Sequence, residues 1–301
     1  MAIRILRHLD QKKFPNHFPK EFETFFSLQK EERELLVDES QGQKTWSYDI
    51  NISTNSQLQF TLDTPFEGAL KLSYEHGNKV VEACVSSPKA DAHYLFGNIA
   101  KSTFSQPPFY KPPVLALSTA DCLALAFTFS HENFFMGALV HAGWRGFTAG
   151  IIQNTLQAFL SHTRELSLSQ EDILKNVQVW ICPAIFGVSY ECGEDVKDAL
   201  IEHAKKLSIL HTNFAQVKDI FETCSNVEHH GTNKIFPDLQ LLACCELFAS
   251  GITLSKIAVI RENTFGHPFF YSYRASTKQG HALKQRNVTH LVFPDGFVAS
   301  S

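Results

Sequence analysis

Two apolar runs, "CLALAFTFS" (122–130) and "FFMGALVHA" (134–142), flank a three-residue polar break, "HEN". Each run is too short to cross a bilayer as a helix. Both are rich in residues that suit a strand, and "HEN" has turn chemistry, so the segment predicts a buried β-hairpin. Antiparallel pairing sets the start of the first strand beside the end of the second. Cys122 and His141 are thereby brought together at one end of the hairpin.

The rest of the chain alternates between strand and helix patterns. Helical spacing marks 21–37, 146–166, 193–207 and 237–251, the last closed by Gly251. Strand patterns mark "QKTWSYDINIS", "SQLQFTLDT", 114–118, 176–185, 255–260 and 289–293, and two strands flank a turn at Gly77-Asn78. A proline-rich loop is expected over 97–113. Several strands follow one another directly, so the reading is α+β: a single domain with mixed β-sheets flanked by helices. Residues 1–66 are a divergent N-terminal part of that domain, and 67–301 its catalytic part.

Composition narrows the function. Of 301 residues, 44% are hydrophobic and 19% charged, enough for a large core. The net charge of −4 comes with no basic block, which argues against broad electrostatic binding to nucleic acid. No apolar stretch suggests a secretory signal or a membrane span. Seven cysteines without a repeating spacing read as mostly reduced thiols, as expected in the cytoplasm. Cys244-Cys245 fall on a helix pattern and read as core, and Cys182 and Cys192 as inert buried thiols.

A thiol and an imidazole at one sheet end serve either as a nucleophile–base pair or as two metal ligands. Three protein ligands would leave a fourth position for water or substrate. His76, ending a strand in "YEHG", is the best third ligand by position. His93, His131, His229, His230 and His267 compete with it among 14 histidines. Arg145 of "AGWRG" precedes a predicted helix, where amide groups and a guanidinium together favour an anion.

"TADC" and "VHAGWRG" together resemble the central motif of the YfiH-like family, also called multicopper polyphenol oxidoreductase, laccase-like, or peptidoglycan editing factor. "EHG", "KADAHYLF", "CPAIFGVSYECGEDV", "PDLQLLACCELFASGI" and "FFYSYRASTKQG" resemble further family segments in the same order, over about residues 70–290. The resemblance implies a zinc-containing purine nucleoside phosphorylase that also deaminates adenosine, with methylthioadenosine a further substrate in some members. It implies His76, Cys122 and His141 as metal ligands and Arg145 and Arg274 as catalytic cations. Tyr190, Thr119 and Asp121 would line the substrate site. The implied partners are a nucleoside and phosphate, and the expected assembly is a monomer or small homo-oligomer. Tyr74, Glu75, Asn263-Thr264, Ala275 and His281 depart from the family pattern. Other readings are a metal-free Cys–His hydrolase and a diverged binding protein without turnover. Copper fits less well: a four-copper laccase needs His-x-His pairs, and the chain has none.

Overall fold

The hairpin predicted from the two apolar runs forms the centre of the molecule. In the computed structural model, the described residues are 2–7, 29–34, 36–38, 45–47, 50–51, 56–63, 65–100, 111–206, 234–282 and 284–300. Up to residue 51 that description covers the backbone alone. In chain order the strands begin with β1 (Ala2–Arg7), β2 (Gln29–Glu34), β3 (Leu36–Asp38), β4 (Thr45–Ser47), β5 (Ile50–Asn51) and β6 (Gln57–Leu62). Next come β7 (Leu70–Lys71), β8 (Val80–Glu82), β9 (Ala92–Ile99), β10 (Val114–Thr119), β11 (Leu123–His131) and β12 (Phe134–Ala142). Helices α1 (Trp144–Thr148), α2 (Ile151–His162) and α3 (Gln170–Asn176) precede β13 (Gln178–Ile181). The remainder is α4 (Glu194–Lys206), α5 (Leu239–Ala249), β14 (Ile257–Ile260), α6 (Tyr273–Lys278), β15 (Asn287–Val292) and β16 (Phe297–Ala299).

The strands form a nine-stranded mixed sheet in the order β16-β9-β12-β11-β13-β14-β1-β2, with β8 also paired to β9. A five-stranded sheet runs β5-β6-β15-β10-β7, and β3 pairs with β4. The α+β reading holds. The hairpin reads as continuous apolar sequence because it is covered on both faces. Leu125, Phe127, Met136 and Val140 pack with Phe159 and Leu247 in the core that holds the helices. The alternate residues Ala124, Ala126, Phe135 and Leu139 pack with Leu58, Leu115, Leu291 and Phe293 in a second core, toward the five-stranded sheet. Strand alternation thus puts His141 on the face directed at the smaller sheet. No described helix is long and apolar enough to cross a membrane.

Four expectations change. The segment 21–37 is not helical where it is described: Gln29–Glu34 pairs with β1 as the edge strand of the large sheet. Its sequence "QKEERE" has the charges that suit an edge, and sheet pairing overrides its helix preference. The helix expected over 146–166 is split, because Gly150 adopts φ 87 between α1 and α2. The strands around Gly77-Asn78 are not partners; β7 joins β10 in one sheet and β8 joins β9 in the other. The loop expected over 97–113 begins inside β9, and its residues 101–110 lie outside the described residues, as do His229 and His230.

Candidate metal centre

Two connections and one strand supply the three predicted ligands. His76 lies on the link from β7 to β8, which passes from the small sheet to the large one, and it adopts a left-handed backbone, φ 64. Cys122 lies between β10 and β11, a second crossing between the sheets. His141 is the last residue but one of β12, opposite Ala124, which places it against the start of β11 as the hairpin argument requires. The ligand atoms of His76, Cys122 and His141 all lie within 4.8 Å of one another.

Small residues make room for this convergence. A Cβ on Gly143 would sit 3.3 Å from Cys122 Sγ, 3.3 Å from His76 Cδ2 and 3.6 Å from His141 Cε1. A Cβ on Gly146 would sit 2.6 Å from the Gly77 carbonyl oxygen. Gly146 is therefore a steric requirement of the fold here, and a side chain at Gly143 would crowd the cluster.

Asp91 orients the ligands, and the sequence reading gave it no role although it stands in the noted segment "KADAHYLF". Its Oδ1 accepts from the His76 N–H at 2.9 Å and lies 2.9 Å from His141 Nδ1, and its Oδ2 accepts from the Gly77 N–H at 2.7 Å. Burial raises the Asp91 pKa, but the His141 and amide hydrogen bonds outweigh it and hold the carboxyl below its usual range. A carboxylate can only accept, so His141 carries its proton on Nδ1 and leaves Nε2 as a lone pair. That Nε2 is buried and makes no hydrogen bond. A carboxylate on the far nitrogen of a ligating histidine is the usual support of a metal ligand. Burial keeps His141 below the ordinary histidine pKa, hence neutral. Burial, then the charge of Asp121, pushes the Cys122 thiol up to about 12, which makes it a poor unaided nucleophile.

Tyr74 is a second residue with no assigned role. Its ring stacks on His141 with centroids 3.8 Å apart and planes 20° apart, and meets His76 edge-on at 5.4 Å. Burial raises its pKa, and a hydrogen bond and the charge of Arg286 partly oppose that rise. The signal was its departure from the family pattern; Arg286 gave none.

The remaining candidates divide. Tyr190 is buried, and the Arg274 guanidinium lies 5.7 Å from its ring. Arg274 Nη1 donates to the Glu191 carbonyl at 2.6 Å. Thr119 ends β10 and is buried. Asp121, with φ 89, accepts from the Thr264 hydroxyl at 2.6 Å and from the Arg274 N–H at 2.7 Å. Arg145 is exposed, with its guanidinium 4.3 Å over the neighbouring Trp144 ring, on a helix of five residues.

Residues 50–285 match the family model described as multi-copper polyphenol oxidoreductase laccase. The chain belongs to this family. Two of its relatives are a purine nucleoside phosphorylase of Pseudomonas aeruginosa, 28% identical over 54% of this chain and 56% of that one, and one of Bacteroides thetaiotaomicron, 28% identical over 56% and 54%. The purine nucleoside phosphorylase YfiH of Escherichia coli is 32% identical over 32% of this chain and 34% of that one. The chain thus spans between a third and about half the length of these curated relatives. A Neisseria meningitidis protein has the same fold, with TM-score 0.56, 19% identity, and coverage of 82% of this chain and 98% of that one. The Bacillus licheniformis hypothetical protein YfiH gives TM-score 0.57 at 16% identity, with coverage of 86% and 96%.

Proposed function

We propose that the chain is a zinc-dependent purine nucleoside phosphorylase acting on adenosine and inosine, with adenosine deamination as a second activity of the same centre. The observation that carries this reading is the convergence of His76, Cys122 and His141 around a buried, unpartnered His141 Nε2. One thiolate and two imidazoles are a donor set suited to a catalytic zinc, with an open fourth position. Among the described residues these three form the one group of histidine, cysteine and acidic side chains able to hold an ion, which favours a single-metal enzyme over a multicopper oxidase. The relatives named as purine nucleoside phosphorylases support the substrate class.

Bound zinc would supply Lewis-acid polarisation at neutral pH. The protein's own groups do the rest. Asp91 holds the tautomer and orientation of His141, and the His76 and Gly77 amides hold Asp91 in turn. Tyr190 offers an apolar wall, and Arg274 and Arg145 supply positive charge for phosphate, so that the nucleophile and the sugar carbon are held together. Thr119 and Asp121 line the same end of the sheets. We place the enzyme in the cytoplasm, where a thiol stays reduced, as a monomer or small homo-oligomer.

The test is an assay of zinc-loaded protein with adenosine, inosine or methylthioadenosine and phosphate, alongside elemental analysis. Expected are about one zinc per chain, ribose 1-phosphate with free base, and inosine from adenosine. Product no greater than that from a Cys122→Ala variant overturns the reading.

A further inference from the structure

Asp121 stands next to a ligand, so a carboxylate acting on substrate is the obvious role for it. The hydrogen bonds assign it differently. Oδ1 takes the Thr264 hydroxyl at 2.6 Å and Oδ2 takes the Arg274 main-chain N–H at 2.7 Å. The Asp121 carbonyl also accepts from the Ile185 N–H at 3.0 Å. Three separate segments, at 185, 264 and 274, are thus tied to the residue beside Cys122.

The segment carrying Arg274 needs such a tie. Helix α6 buries none of its residues, and Tyr273 is 58% exposed. Apolar packing therefore does little to hold it. Its described anchors are polar: Asn287 bonds both the N–H and the C=O of Tyr271 at 2.8 Å, Arg274 Nη1 reaches the Glu191 carbonyl, and Asp121 takes the Arg274 N–H. The Asp121 contact is also the one that references Arg274 directly to the ligand cluster. Asp121 holds φ 89, a conformation that costs a non-glycine residue on the order of 1–3 kcal/mol and persists where its surroundings enforce it.

We propose that Asp121 is a positioning residue: a clasp that fixes the guanidinium of Arg274 relative to Cys122 through Arg274's own backbone. Its role in turnover rests on the phosphorolysis proposed above. The clasp acts through hydrogen-bond acceptance, so its negative charge is dispensable.

Two substitutions separate these possibilities. Asp121→Gly suits φ 89 and removes both side-chain bonds. Asp121→Asn tolerates the same backbone. With its amide turned, its oxygen accepts from the Arg274 N–H while its NH2 donates to the Thr264 hydroxyl. Asp121→Gly is expected to raise the KM for inorganic phosphate about tenfold, toward the lower end of what its two lost hydrogen bonds are worth, with kcat changed less than about twofold and zinc content unchanged. Amide exchange in peptides covering 271–278 should quicken in the same variant. Asp121→Asn should restore both readings to within about twofold of the parent. An asparagine variant as impaired as the glycine one overturns the clasp in favour of a charge acting on substrate. Unchanged exchange in Asp121→Gly, or faster exchange with an unaltered KM, also overturns it. If the parent shows no phosphorolysis, the proposed function fails instead, and exchange in the two variants alone decides the clasp.

Discussion

Gly143 gives Cys122, His76 and His141 room to approach one another. Its backbone, φ −60 and ψ 160, is open to alanine, so Gly143→Ala carries no conformational penalty. The added methyl instead lands 3.3 Å from both Cys122 Sγ and His76 Cδ2. The expected outcome is a loss of metal affinity of about 10–100-fold, as for other disturbances just outside a ligand set, with a native circular dichroism spectrum. Competition with a chromophoric chelator measures it. His76, Cys122 and His141 were legible in the sequence because each sits in a short segment whose spacing or family likeness marks it. Asp91 was not, since an aspartate becomes a ligand support only through bonds to His76, Gly77 and His141 that a linear reading does not display. The motif marked Arg145 as well, but not the stacking of its guanidinium over the neighbouring Trp144 ring, which only the folded chain displays.

Among elements, the two crossings between sheets matter most. β10 ends at Thr119 in the small sheet and β11 begins at Leu123 in the large one, with Cys122 between them. His76 lies on the comparable link from β7 to β8, while His141 belongs to the large sheet itself. An ion held by all three would staple the sheets together. Zinc at about 100–1,000 times its Kd should add about 3–4 kcal/mol to stability. Chelation is therefore expected to lower the melting temperature by roughly 5–6 °C for a chain of this length, and Cys122→Ala should abolish the difference. Differential scanning calorimetry reads both. The hairpin was legible because both of its faces are buried, which leaves an unbroken apolar run. The Gln29–Glu34 strand was not, because its charges read as a helix until β1 supplies a partner. α6 was missed because it buries nothing and so has no periodic pattern to read.

The whole molecule carries a buried-histidine load that ties its stability to pH. Burial lowers His93 to about 3 and His290 to about 4. Both are neutral in the folded chain, while in the unfolded chain they titrate near the ordinary value of about 6.5. Their folded pKa values are depressed, so the unfolded state takes up protons first on acidification. Their contribution is present in full above about pH 6.5 and is lost as the pH falls from there toward 4. At pH 5 each should cost on the order of 2 kcal/mol relative to pH 8. Urea denaturation across that range is expected to show a falling midpoint, and His93→Leu a shallower dependence on pH. The α+β layering that buries these side chains was anticipated from the order of strands and helices; which sheet each strand joins was not, because β7 and β8 separate after a turn that looks like a hairpin. The distance between the sheets is set by Phe135, Leu139, Leu291, Phe293 and their neighbours. Coordination geometry of an ion held at the seam would therefore inherit its tolerances from hydrocarbon remote from any ligand. A methylene shaved from that filling alters the gauge to which the donor atoms are set, so tuning such a centre becomes a problem of carpentry as much as of chemistry.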